Sequence, residues 1–236
     1  MMHAIDIPGW AVERGRRMNS FDTIDPVRTA LIVIDMQKAF TVAGEVFGNA
    51  HACEILPDIN RLAQAMRAAG GIVIWTRQTA TQDGPYAYPA WHYDAGDAFV
   101  RRALDSLTDG AASHGLHDGC AVGPDDIVMN KHRYSAFIHG SSDIEARLAL
   151  RQIETVIITG TVTNVCCESS ARDAYMLGYR VLFASDATAA VTDAEHNAAL
   201  LNLRLNFADV RSTEQILSVI AASARGRAHA PRAAAL

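Results

Sequence analysis

The run Thr29-Ala-Leu-Ile-Val-Ile-Asp35 constrains this chain most, because its interior offers no polar position to either side of a pleated strand. A strand built from it is buried on both faces, as in a parallel sheet with helices above and below. Similar segments recur. Ile72-Val-Ile-Trp75, Asp126-Ile-Val-Met129, Thr155 to Thr159 and Arg180-Val-Leu-Phe-Ala-Ser185 read as strands, and Ala208 to Arg211 as a short edge strand. Helical patterns lie between them. Glu54 to Ala69 sets Ile55, Ile59, Leu62, Ala63 and Met66 on one side and stops at Gly70-Gly71. Ser142 to Arg151, Val165 to Leu177, Asp193 to Asn206 and Thr213 to Ala222 complete the set. Strands alternating with helices imply right-handed crossovers and a parallel sheet covered on both faces.

At 236 residues the chain fits one sizeable domain, 29–222, with an arm at 1–28 and an Ala- and Arg-rich tail at 223–236 expected to fray. The arm is free to wrap a neighbouring subunit. The stretch 78–124 breaks the rhythm and is rich in Gly, Asp, His and aromatics, so it reads as an inserted binding loop or lid, or as an oligomer contact. A net charge of −5 gives no electrostatic case for nucleic acid or an anionic membrane. The cysteines at 53, 120, 166 and 167 form no CxxC pair, which argues against a secreted disulfide scaffold. Met1 to Arg17 lacks the pattern of a signal peptide, and no apolar run is long enough to span a bilayer, so a cytoplasmic protein is expected.

Three reactive side chains fall at strand ends, where open parallel sheets bind ligands. Asp35 closes the first strand, Lys131 follows the third, and Cys166 follows the fourth in Thr159-Gly-Thr-Val-Thr-Asn-Val-Cys-Cys-Glu168. A carboxylate, an ammonium and a thiol in one crevice make a base, a charge stabiliser and a nucleophile for acyl transfer. A thiol at a helix start has its thiolate favoured. Each residue also has a plainer reading: the Asp as a turn cap, the Lys as a solvated charge, and Cys166 and Cys167 as buried packing. A disulfide between the two adjacent cysteines would be strained, which weighs against a redox role.

Three motifs in order, Val33-Ile-Asp-Met-Gln37, Lys131-His-Arg-Tyr-Ser-Ala-Phe137 and Thr159-Gly-Thr-Val-Thr-Asn-Val-Cys166, resemble those of the isochorismatase-like cysteine hydrolases. The resemblance runs from about Thr29 to about Ile220. It implies a three-layer α/β/α sandwich with a parallel, Rossmann-like six-stranded sheet and a triad of Asp35, Lys131 and Cys166. It also implies a cis peptide at Thr161–Val162 and an oxyanion hole from the backbone N–H groups of Val162 and Cys166. Relatives of this kind form homodimers or homotetramers.

Within that superfamily, the Lys131 and Cys166 motifs, Glu168-Ser-Ser-Ala-Arg-Asp173 and Trp91-His92 look most like the ureidoacrylate amidohydrolase branch. The implied reaction is cleavage of a C–N bond in a small acyclic ureido, carbamoyl or carboxamide compound through a thioester, releasing ammonia or carbamate. Biuret-like or N-carbamoyl substrates are the alternative. A non-catalytic member and a vinyl ether hydrolase are weaker readings, because all three triad residues are present. The metal-binding Asp-x-His motif of nicotinamidases is absent from Thr76 to Asp83, so no metal and no cofactor are expected. Gln37, Arg77, Gln78, Tyr134 and Asn206 are candidates to orient a substrate, and Phe40, Trp91 and Phe137 to wall it in, with core packing the rival reading for the aromatics.

Overall fold

The computed structural model describes residues 2–81 and 83–229. Its centre is a sheet of six parallel strands: β1 (Thr29–Ile34), β2 (Ile72–Gln78), β3 (Ile127–Lys131), β4 (Thr155–Thr161), β5 (Arg180–Ala189) and β6 (Asp209–Arg211). They lie side by side in the order β3-β2-β1-β4-β5-β6. Eight helices surround them: α1 (Gly9–Arg16), α2 (Lys38–Thr41), α3 (Leu56–Ala68), α4 (Ala98–Ser106), α5 (Ile144–Leu150), α6 (Glu168–Met176), α7 (Asp193–Asn206) and α8 (Thr213–His229).

The period of two along β1 divides the core. Leu31 and Val33 join a cluster containing Ile59, Leu62 and Met66 of α3 and Ile216 and Ile220 of α8. Ala30, Ile32 and Ile34 face the other way, toward Ile144 and Leu148 of α5, Ala171 and Ala174 of α6, and Leu200 and Leu203 of α7. Every residue of β1 is buried, as its unbroken aliphatic run requires. This is the three-layer α/β/α sandwich expected from the sequence.

The differences lie at element ends and in three helices, α1, α2 and α4, that the sequence reading lacked. Strands β2 and β5 run on to Gln78 and Ala189, past the apolar runs that identify them, because neighbouring strands continue to hold their polar ends. Helix α8 continues to His229 through an Ala- and Arg-containing stretch, beyond the Ala222 end read from the sequence. The remainder of the tail, 230–236, lies outside the described residues. The N-terminal arm packs on its own chain: α1 crosses α7 so closely that a Cβ at Gly15 would stand 2.1 Å from the Arg204 carbonyl oxygen. No helix among the described residues is long and apolar enough to cross a membrane.

One glycine governs how β1 and β4 meet. Gly160 pairs with Ile34, adopts φ of +108°, and would place a Cβ 2.0 Å from the Ile34 carbonyl oxygen. Both the conformation and the space exclude a side chain. Gly160→Ala should cost about 3 kcal/mol or more of stability in urea unfolding. Gly9→Ala, whose Cβ meets nothing within 4 Å, should leave stability unchanged or slightly raised.

Candidate active site

The strand order reverses between β1 and β4, which opens a crevice beyond their carboxyl ends. Asp35 leaves β1 with φ of +51°, a left-handed conformation that Asp tolerates better than most residues. Its N–H donates to the Thr76 carbonyl at 3.2 Å, and the Thr76 hydroxyl donates to Oδ1 at 2.9 Å. Lys131 ends β3, two strands away, and its side chain passes the end of β2 to bring Nζ within 2.7 Å of Asp35 Oδ2. Both side chains are fully buried.

The ammonium donates to Gln78 Oε1 at 2.6 Å and to the Arg133 carbonyl at 3.0 Å. Its 2.7 Å approach to Oδ2 adds an ion pair to these bonds. Burial pulls the Lys131 ammonium toward neutrality. The charge of Asp35 and the contact with it outweigh this and hold its pKa above the ordinary value.

Cys166 stands in a wide π-type turn, Thr163–Cys167, closed by the Cys167 N–H donating to the Val162 carbonyl at 3.2 Å. Regular α-helix begins only at Glu168, three residues later than the sequence pattern places it. Thr163 and Asn164 are weak α-formers, and the Thr163 hydroxyl lies 2.9 Å from His196 Nδ1 of α7. Wide turns of this kind recur at functional sites. The Thr161–Val162 peptide is cis.

Burial pushes the Cys166 thiol up to about 12; the Lys131 charge opposes this and Asp35 adds to it. The thiolate expected from a helix start is therefore not favoured in the resting site. Cys167 is fully buried beside it, with Sγ 3.9 Å from the Thr159 carbonyl.

A cavity of about 200 Å³ opens in front of Cys166. Phe40 and Phe47 form one wall, Val162 and Val165 another. The insertion 78–124 closes it with Tyr88, Tyr93, Leu104 and Leu107, and Tyr134 stands at the mouth beside Gln78 and Ala80. Tyr88 and Tyr134 also border an outer groove that includes Trp91, His92, Arg133 and Arg172.

The isochorismatase domain family matches residues 29–215. The chain belongs to the isochorismatase family. Among relatives of known name, this family member is 32% identical over 213 residues to the ureidoacrylate amidohydrolase RutB of Methylobacterium radiotolerans, covering 83% of this chain and 82% of the relative. It is 35% identical over 211 residues to that of Methylorubrum extorquens, covering 82% and 84%. A cysteine hydrolase from Pseudomonas syringae pv. phaseolicola superposes with a TM-score of 0.76 at 30% identity, over 85% of this chain and 95% of the other. The N-carbamoylsarcosine amidase of Thermoplasma acidophilum shares the fold, with a TM-score of 0.63 at 22% identity over 79% and 96%.

In this family member, Phe40, Gln78 and Tyr134 line the Cys166 cavity and the other sequence-predicted substrate residues do not. Gln37 is spent on structure: Nε2 donates to the Gln78 and His114 carbonyls at 3.1 and 2.9 Å, and Oε1 accepts from the Gln78 N–H at 2.7 Å. Arg77 points away, because alternation along β2 turns Thr76 and Gln78 toward the triad; its nearest acid is Asp109 at 3.9 Å. Trp91 is 84% exposed in the outer groove. Phe137 is core, its ring 5.9 Å from that of Tyr179. Asn206 ends α7 and donates to the Asn202 carbonyl at 3.3 Å; a crossover helix starts at the carboxyl edge of a sheet and ends at the opposite edge, away from the site.

Phe47, Tyr88, Tyr93, Leu104 and Leu107 were not singled out by the sequence. Asp97 as an N-cap before Phe99, Val100, Ala103, Leu104 and Leu107 carries the signal of α4, and its carboxylate accepts from the Phe99 and Val100 N–H groups. Among the described residues, His3, His51 and Asp193 bring possible metal-ligand atoms within 4.8 Å of one another, none of them lining the Cys166 cavity. Both nitrogens of His3 are engaged there, Nδ1 at 2.7 Å from Asp193 Oδ1 and Nε2 accepting from the Ala190 N–H at 3.0 Å.

Removing one partner of the buried ion pair leaves an uncompensated charge. Lys131→Met or Asp35→Asn alone should cost about 3–5 kcal/mol in urea unfolding, and the double variant should recover most of that loss.

Proposed function

We propose that this chain is a cysteine amidohydrolase that cleaves the C–N bond of a small acyclic ureido, carbamoyl or carboxamide compound through a thioester on Cys166. The observation that carries this reading is the buried Asp35 carboxylate, paired with Lys131 at 2.7 Å and near enough to Cys166 to help raise its thiol pKa. The names of the curated relatives, amidohydrolases that act on ureidoacrylate, support the same reaction class.

The thiol is neutral at rest, so its proton must leave as the carbon–sulfur bond forms. Asp35 takes that proton while Lys131 offsets the charge gathering between sulfur and carboxylate. The N–H groups of Val162 and Cys166 receive the oxyanion. Asp35 returns the proton to the departing nitrogen, which leaves as ammonia or an amine, and water then hydrolyses the thioester, releasing the acid or, from a ureide, carbamate. A ureidoacrylate-like, biuret-like or N-carbamoyl compound each offers the carbonyl this needs.

Cys166→Ala should abolish ammonia release and leave no acyl adduct by mass spectrometry, whereas Cys167→Ala should retain turnover. Full turnover by Cys166→Ala would end the proposal. The raised thiol pKa sets a second expectation. Only the thiolate alkylates, and its fraction grows as pH approaches about 12 from below, so alkylation of Cys166 by iodoacetamide should climb about tenfold per pH unit from pH ~7 to ~10 without a plateau. A plateau near neutrality would show a thiolate formed in advance.

A further inference from the structure

Among the described residues, no charged side chain lines the cavity in front of Cys166. Its apolar walls are Phe40, Phe47, Leu104, Leu107, Val162 and Val165. The polar atoms that remain are engaged with one another or with the triad. The Tyr93 and Tyr134 hydroxyls lie 3.1 Å apart, Gln78 Oε1 accepts from Lys131 Nζ at 2.6 Å, and Gln78 Nε2 faces the Tyr88 hydroxyl at 3.5 Å. Burial pushes the Tyr93 and Tyr88 phenols up, so both stay neutral.

The ionised groups nearest in the mechanism, Asp35 and Lys131, form a closed pair outside the cavity lining. The arginines of the outer groove are also committed. Arg133 donates to the Tyr86 and His132 carbonyls and covers the Tyr88 ring, and Arg172 pairs with Glu168. A substrate carboxylate seated in this cavity would lose its hydration and gain no counter-charge.

Size points the same way. An apolar protein cavity of about 150 Å³ holds a benzene molecule. The space before Cys166, about 200 Å³, fits one ring or a short chain together with the carboxamide under attack.

We propose that the substrate is an uncharged primary carboxamide with an apolar acyl body, a single ring or a chain of about 4–6 carbons, selected by Phe40, Phe47, Leu104 and Leu107. This rests on the cysteine amidohydrolase reading and narrows it. The acyl side fills the cavity because it stays bonded to Cys166 after nitrogen has left. Sγ bonds to the carbonyl carbon, the C–N bond breaks, and the thiol proton departs with nitrogen as ammonia by way of Asp35. Water then breaks the C–S bond, giving the carboxylic acid and restoring the thiol. That acid ionises at neutral pH into the species the cavity tolerates least, which drives product out past Tyr88 and Tyr134.

The test is a panel of amides with the full chain, followed by ammonia release and by acyl-adduct mass on Cys166. Hexanamide and adipamate share a chain length and differ in ending on a methyl or a carboxylate; ureidoacrylate is the anionic ureide. Hexanamide should exceed both anions in kcat/KM by about 100-fold or more, and kcat/KM should rise about fourfold per methylene from propanamide to hexanamide. Leu104→Lys should narrow the hexanamide-to-adipamate ratio by about tenfold or more. Equal or preferred turnover of adipamate or ureidoacrylate overturns the apolar-substrate inference and leaves the amidohydrolase reading standing. No ammonia and no adduct from any member of the panel overturns that reading, and the inference with it.

Discussion

The buried ion pair of Asp35 and Lys131 is the interaction on which the site depends. Each charge is fully withdrawn from water, and each costs several kcal/mol there unless the other stands in place. The pair joins strands that are not neighbours, since β2 lies between β1 and β3. Three strand ends must therefore stay level, and the surrounding bonds hold them so. Gln37, just beyond β1, binds both backbone groups of Gln78 at the end of β2, and Gln78 in turn accepts from Lys131. Gln37 thus acts one step behind the ammonium, holding the residue that holds Lys131.

That arrangement also bears on the state of the Cys166 thiol. Burial keeps the Cys166 thiol protonated, while the Lys131 charge that opposes this is balanced by Asp35. Thiols resist oxidation and alkylation far better than thiolates.

The sheet was legible in the sequence because strands buried on both faces leave an unbroken aliphatic signature. Asp193 to Asn206 matches α7 end to end for a related reason: Thr192 caps it, and its side chain accepts from the Glu195 N–H. That Asp35, Lys131 and Cys166 come together was legible because strand ends are fixed once strands are. Side-chain direction was less legible. Arg77 and Gln78 are adjacent in sequence, yet the pleat sends one toward the triad and the other away. Asn206 failed on helix polarity. The π-type turn at Thr163–Cys167 leaves no periodic trace, since its geometry depends on the Thr163 contact with His196, far off in sequence.

The insertion was recognised by its broken rhythm, but its role required seeing it folded. Its polar links to the rest of the chain include the Thr79 N–H to the Lys131 carbonyl, the Lys38 N–H to the Gly115 carbonyl, the His117 N–H to the Met36 carbonyl, and the Gln37–Leu116 bridge. None of these involves the side chains of Asp35, Lys131 or Cys166. The residues it contributes to the cavity are Gln78, Ala80, Tyr88, Tyr93, Leu104 and Leu107. Gln78 is where cavity and ion pair meet, since it lines the cavity and also accepts from Lys131, whereas Leu104 touches none of the bonds that hold the ion pair level.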